Sequence, residues 1–218
     1  YALFKRAQTI AVFQFESRGM QGMLKDAQAD RFEDLMALTS LFRPGPMEQI
    51  PSFCRRKHGA EPIDYADPRV QPVLAETYGI MVYQEQVMQI FNQLGAIELS
   101  NAYKLIKAIS KKTTDVIAKF QPDFIKGTMA KGVSKEKAEE IFDLILKFGG
   151  YGFNKSHSTR YAIIAYQTAY MKTYHPVEYM SALLTFEMGS TEKVVEYIED
   201  CRRMVLPEND RRTLEAHG

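Results

Sequence analysis

The sequence lacks the features that would place it in several large protein classes. No apolar run reaches 18 residues, so no segment reads as a membrane-spanning helix. The amino terminus shows no signal-peptide pattern. Cysteine is scarce: Cys54 and Cys201 stand far apart in the chain. That pattern fits reduced thiols in a cytoplasmic protein rather than a disulfide framework, and neither has a second Cys or a His at zinc-ligand spacing. Charge of one sign is also missing, with 28 basic against 27 acidic residues. This excludes a purely electrostatic nucleic-acid coat but leaves room for a local basic face. There is no ordered Ser/His/Asp set, no Cys/His pair, no Asp-x-Asp pair for two metal ions and no Walker A loop. On chemistry alone the chain reads as a binding component with no catalytic or metal-ligating residue of its own.

What is present is a globular composition, 45% apolar and 25% charged over 218 residues, enough to bury a core. The chain begins at Tyr1 within a helix-like stretch, which reads as a fragment. Six of the nine prolines fall between Pro44 and Pro72, which predicts loop and short helical pieces over residues 43–78. Four stretches carry a helical period. Tyr83, Val87, Ile90, Phe91 and Leu94 share one face. Ala138, Ile141, Phe142, Ile145 and Leu146 recur over about 135–148, with Ser134 as N-cap and Gly149-Gly150 as stop. Residues 158–174 are apolar nearly all round and read as a central core helix ended by His175-Pro176. Residues 191–205 start at Thr191 and place Val194, Val195, Ile198 and Cys201 on one face. Only Ile10–Phe15 and Gly79–Tyr83 suit short strands. The expected class is mainly α.

Charge is distributed unevenly. Between Ala102 and Lys137 nine lysines face three acids, whereas residues 187–218 are net acidic. Lys104, Lys107 and Lys111 are spaced i, i+3, i+7, one stripe of a helix, with Lys112 adjacent. Like charges on one stripe repel, and a triphosphate or nucleic-acid backbone would relieve them; a solvated lysine face is the plainer account. The run Gly149-Gly-Tyr-Gly-Phe-Asn-Lys-Ser-His157 leads into a helix. It offers free amides plus Asn154, Lys155, Ser156 and His157 as an anion or nucleotide-edge site, or serves as a helix–helix connection. Arg43-Pro-Gly-Pro-Met47 is a rigid turn that fixes Arg43. Tyr83-Gln-Glu-Gln86 opens a helix, with Gln84 and Glu85 at its positive end. Phe13-Gln-Phe-Glu-Ser17 reads as a half-buried strand or a base-stacking patch.

These same stretches resemble the bacterial DNA polymerase III alpha subunits, the C-family replicative DNA polymerases, in the part that follows the palm. The similarity is carried in order by Val12-Phe-Gln-Phe-Glu-Ser-Arg-Gly-Met20, Leu41-Phe-Arg-Pro-Gly-Pro-Met47, Thr77-Tyr-Gly-Ile-Met-Val-Tyr-Gln-Glu-Gln-Val-Met88, Lys107-Ala-Ile-Ser-Lys-Lys112, Tyr151-Gly-Phe-Asn-Lys-Ser-His157 and Tyr166-Gln-Thr168. The resemblance implies a helical fingers domain over 1–186 and the start of the next helical, helix-hairpin-helix-side region over 187–218. It implies binding of incoming deoxynucleoside triphosphate and template-primer DNA for attack of the primer 3′-hydroxyl on the α-phosphate. By the same resemblance the contacts fall to Lys107, Lys111, Lys112, Arg43, Asn154, Lys155, Ser156 and His157, supported by Lys104, Gln84, Glu85 and Arg160. Mg²⁺ is expected on palm aspartates outside this chain, which alone is expected to be inactive. A sliding clamp, a proofreading subunit and a clamp loader are the expected partners, in a bacterial cytoplasm. The family usually reads Ala-Asp-x-x-Arg-Arg-Ala-x-Gly-Lys-Lys where this chain has Ala102-Tyr-Lys-Leu-Ile-Lys-Ala-Ile-Ser-Lys-Lys112. Tyr103, Ile106 and Lys107 therefore stand at Asp and Arg positions, and Lys lacks the guanidinium fork. Arg160 stands where a small residue is usual, and the ending from Val205 is unlike the family. The competing reading is a non-catalytic helical protein- or DNA-binding scaffold whose acidic helix, Thr191 to Met204, forms the contact face.

Overall fold

The computed structural model describes residues 1–204, apart from the side chains of Phe148 and Gly149. Among the described residues there are twelve α-helices: α1 (Ala2–Lys5), α2 (Arg18–Ala27), α3 (Phe32–Leu41), α4 (Ile50–Lys57), α5 (Gln71–Leu74), α6 (Gln84–Gln93), α7 (Leu99–Ser110), α8 (Thr114–Met129), α9 (Lys135–Gly149), α10 (Lys155–Tyr174), α11 (Pro176–Phe186) and α12 (Thr191–Arg203). The fold is mainly α, and extended backbone pairs only at a parallel bridge between Tyr83 and Phe153 among the described residues. The tail 205–218, with its unfamiliar ending, lies outside the described residues.

Local chemistry explains the helix ends. Ser17, Ser134 and Ser190 hydroxyls accept the amides of Met20, Lys137 and Lys193 at 3.3, 3.2 and 3.4 Å. Each satisfies an amide that has no partner within its own helix. The last of these moves the expected cap of α12 from Thr191 to Ser190. Pro46, Pro51, Pro68 and Pro72 each sit in the first turn of a short helical piece. There the missing N–H costs no hydrogen bond, so the proline-rich stretch is a chain of short helices and 3₁₀ turns.

The chain divides into two compact units, Arg31–Arg160 and Tyr1–Asp30 with the chain from Tyr161 onward. The core of the first joins α5 to α9: Val87, Ile90, Phe91 and Leu94 of α6 meet Leu105, Ile106 and Ile109 of α7 and Ile141, Phe142 and Ile145 of α9. Phe91, Phe124 and Phe142 stack at its centre, with rings 5.4 to 6.2 Å apart. Gly127 of α8 lies against Gly95, which follows α6; a Cβ on Gly127 would stand 2.5 Å from the Gly95 carbonyl carbon. Glycine at 127 is what allows α8 to approach that backbone.

In the second unit Phe4 and Phe15 pack edge to face at 5.3 Å, and Ala11, Met180 and Tyr197 form a smaller cluster. Two expectations change here. Ile10–Phe15 is a series of tight turns rather than a strand, with Ala11 and Gln14 at positive φ. Thr9 Oγ1 donates to Phe15 O at 2.6 Å and Phe15 N to Val12 O at 3.0 Å; these bonds close the segment on itself, and it pairs with no strand among the described residues. The helix expected at the centre of the core buries a narrow stripe of Ser158, Ala162, Ala165, Ala169 and Lys172, while Ile163, Ile164, Tyr166, Tyr170, Met171 and Tyr174 are exposed. Small side chains permit close approach on one side, and the large apolar residues project from the other. The Lys172 ammonium lies 2.6 Å from Asp200 of α12 and donates to the carbonyls of Gln8 and Ile10. The buried face of α12 is therefore Tyr197 and Asp200, whereas Val195 and Ile198 are exposed.

Candidate functional site

Within Arg31–Arg160, three separate stretches of chain meet: the turn after α3, the extended residues before α6, and the glycine-rich run before α10. Gly45 has φ 95°, and a Cβ there would come within 2.8 Å of the Tyr151 ring. Arg43 donates through Nε to Ser40 O at 2.9 Å, donates to Tyr151 O, and stacks its guanidinium 4.8 Å over Phe153. Burial lowers its pKa from the ordinary value. Phe153 then pairs with the second stretch, its amide donating to Val82 O and its carbonyl accepting from Gln84 N, both at 2.9 Å. Buried Gln86 organises that stretch: Oε1 accepts from Val82 N at 2.9 Å and Tyr83 N at 3.0 Å, and Nε2 donates to Val73 O and Thr77 Oγ1. A cavity of about 340 Å³ opens beside these segments, lined in part by Arg43, Glu48, Gln49, Lys147 and Tyr151.

The first turn of α10 is tied down by carboxylates. Glu85 accepts the Lys155 amide at 3.0 Å and the Asn154 side-chain amide at 3.2 Å. Asn154 Oδ1 accepts the His157 amide at 2.8 Å. The Lys155 ammonium reaches Glu76 at 2.6 and 2.8 Å and lies 5.5 Å from the Tyr83 ring centre. Ser158 is fully buried, its hydroxyl 2.7 Å from Met36 O and 2.9 Å from Ser40 Oγ. Burial pushes the Tyr83 hydroxyl far above the usual phenol pKa; hydrogen bonds with Ser158 and Ser40 offset part of that rise. Ser156, His157 and Arg160 are exposed.

The lysine stripe lies on α7 and the turn that follows it. Ala102, Leu105, Ile106, Ala108 and Ile109 face the core, and Lys104, Lys107, Lys111 and Lys112 face solvent. Ile106, at a position where the resemblance expects Arg, is 1% exposed and supports packing only. Lys107 Nζ sits 4.4 Å over the Tyr103 ring and Lys104 donates to Asn101 at 3.3 Å. Among the described residues none of the four forms an ion pair, whereas Lys57, Lys155, Lys172 and Lys193 all do. The stripe runs toward the glycine run: a Cβ on Gly150 would touch Ile109 Cγ2 at 4.0 Å.

The structure thus gathers Arg43, Gln84, Glu85, Asn154 and Lys155 into one bonded cluster and leaves the lysines outside it, on the exposed side of α7 and the turn after it. Sequence reasoning missed Glu76, Ser40, Tyr83 and Ser158. No sequence signal marks Glu76 as the partner of Lys155, since the two lie 79 positions apart. Among the described residues no group of three or more His, Cys, Asp or Glu side chains is placed to hold a metal ion. The acidic helix α12 spends much of its charge locally, with Glu196 on Lys193, Asp200 on Lys172 and Glu199 on Arg203.

Comparison with known families settles the wider assignment. The finger domain of the bacterial DNA polymerase III alpha subunit matches residues 1–132, more than half of the chain. The chain belongs to that family. Similarity to DNA polymerase III alpha subunits extends past the finger-domain match. The chain is 50% identical to the Xylella fastidiosa (strain 9a5c) protein over 204 residues, 94% of this chain and 17% of that one. It is 49% identical to the Pasteurella multocida protein over 213 residues, 94% of this chain and 18% of that one. It is 45% identical to the Thermus aquaticus protein over 212 residues, 95% of this chain and 17% of that one. It therefore spans under a fifth of the length of these polymerase III alpha relatives. No helix among its described residues is long and apolar enough to cross a membrane.

Proposed function

We propose that this chain acts as the fingers segment of a replicative DNA-directed DNA polymerase, meeting the phosphates of the incoming deoxynucleoside triphosphate and of template-primer DNA on the α7 edge. The observation that supports this most is the row Lys104, Lys107, Lys111 and Lys112: exposed, without ion pairs among the described residues, and carried by a helix whose buried Ile109 lies against Gly150 of the glycine-rich run. Lysines near the end of α7 also face its carbonyl pole, which lowers the cost of clustering them. Arg43 and Lys155 are proposed to act from behind: Arg43 braces Tyr151 and Phe153, and Lys155 anchors the turn on Glu76. In the whole protein the primer 3′-hydroxyl would attack the α-phosphate and release pyrophosphate. Mg²⁺ ions, which stabilise attacking and leaving oxygens in such transfers, would be held by carboxylates outside this chain, so the chain alone would be inactive.

The test is Lys111→Ala with Lys112→Ala in the whole polymerase. The slope of log affinity for primer-template against log salt should become shallower by about two, one for each lost phosphate contact. If instead these lysines serve the triphosphate, the nucleotide KM should rise while the slope holds. An unchanged slope together with an unchanged nucleotide KM removes the edge from the phosphate site.

A further inference from the structure

The exposed turn that opens α10 is pinned from both sides. Behind it, Phe153 is bridged to Val82 and Gln84. Ahead of it, buried Ser158 is bonded to Met36 and Ser40. Between these anchors both oxygens of Glu85 are engaged: one takes the Lys155 amide at 3.0 Å, the other the Asn154 side chain at 3.2 Å. Asn154 is bonded onward to the His157 amide at 2.8 Å. A helix N-terminus attracts anions through its free amides and positive pole. Here a carboxylate from the same chain already holds that place. The Lys155 amide and the Asn154 side-chain oxygen are therefore already engaged, and the exposed residues of the turn are Asn154, Ser156 and His157, whose imidazole lies 5.4 Å from the Phe153 ring.

We propose that Glu85 is the positioning residue of the nucleotide site. It occupies the amide pole of α10, keeps phosphate off it, and through Asn154 sets the direction in which Ser156 and His157 meet the nucleotide, so that the phosphate charge falls to the α7 lysines. The inference rests on the nucleotide-binding reading given above. Gln84, its neighbour, fixes the approach: a Cβ on Gly152 would lie 3.0 Å from Gln84 Cγ, so the glycine lets the two stretches close together.

The experiment is single-nucleotide extension by the whole polymerase carrying Glu85→Ala or Glu85→Gln, with primer-template affinity and melting temperature measured alongside. Glu85→Ala removes two hydrogen bonds from a charged acceptor and should raise the nucleotide KM about tenfold, with primer-template affinity and kcat held within about twofold. Glu85→Gln keeps one acceptor for the Lys155 amide and should recover most of that, leaving a rise of about threefold. An unchanged KM in Glu85→Ala overturns the proposal, as does a loss shared equally between nucleotide and DNA, which would mark general damage. If Glu85→Ala does not fold, Glu85→Gln decides alone, and an unchanged KM there overturns it. Lys111→Ala with Lys112→Ala separates the two layers. If that double variant moves nucleotide KM and the Glu85 variants do not, positioning fails and the site stands; if the double variant moves neither KM nor the salt slope, the site itself fails.

Discussion

Gly127→Ala sets two physical effects against each other. Gly127 lies inside α8, and in an exposed helix interior alanine is favoured over glycine by about 1 kcal/mol. Helical propensity therefore predicts stabilisation. The surroundings predict the reverse. The new Cβ would press on the Gly95 carbonyl oxygen, stand 2.5 Å from its carbon and 3.1 Å from its Cα. All three are backbone atoms, so no rotamer change relieves the contact. Gly95 is itself wedged, since a Cβ there would meet Phe91 O at 2.9 Å. Overpacking of this kind costs about 1–3 kcal/mol, more when backbone must move. Since the obstruction is backbone on both sides, the upper end applies, and the net effect is a loss of about 2 kcal/mol after the propensity gain. For a chain of this size that lowers the melting temperature by about 4–8 °C. Urea and thermal unfolding followed by circular dichroism measure it. A variant as stable as the parent, or more so, would refute the close approach of α8 to the Gly95 backbone.

Other perturbations test the ionic framework. Asp34 is fully buried, with Lys57 at 2.7 Å, Tyr78 hydroxyl at 3.0 Å and Arg31 at 3.1 Å. Asp34→Ala strips the carboxylate from a nearly buried ammonium and should cost about 3 kcal/mol, read as a lowered urea midpoint; a shift of a few tenths would show that the pair is not desolvated. Glu61 accepts from Ser52, Arg56 and Arg55, and these hold its pKa at about 2 against an ordinary 4.5. A depressed carboxylate contributes stability above its unfolded pKa and loses it as pH falls through the folded one. The link between the α4 end and Glu61 should persist at pH 4 and fail only toward pH 2. Carbon-detected NMR titration of the carboxyl group follows it, and a midpoint near 4.5 would contradict the geometry.

Periodicity and capping alone determined the class and much of the helix framework. The apolar repeat of Ala138 to Leu146 with Ser134 and the glycine stop marked α9 within a residue of its observed ends. The spacing of Lys104, Lys107 and Lys111 likewise put the three on one stripe, which the structure places on the exposed side of α7 and the turn after it. These are local properties, written in spacings of three and four residues. Hydrophobicity without a stripe was less informative. In α10 it marked a helix but not its buried side, because close packing selected Ala162, Ala165 and Ala169 over the larger residues between them. The partners of the candidate cluster were decided by tertiary structure alone. Lys155 and Arg43 both read from sequence as cations awaiting a phosphate. The fold supplies Glu76 to one and the Tyr151 carbonyl to the other, and it seats Glu85 on one of the backbone amides that looked open, that of Lys155. Charge and loop chemistry show which groups can meet an anion. Which of them already has a partner depends on residues 70 to 108 positions away, and only the folded chain brings those together.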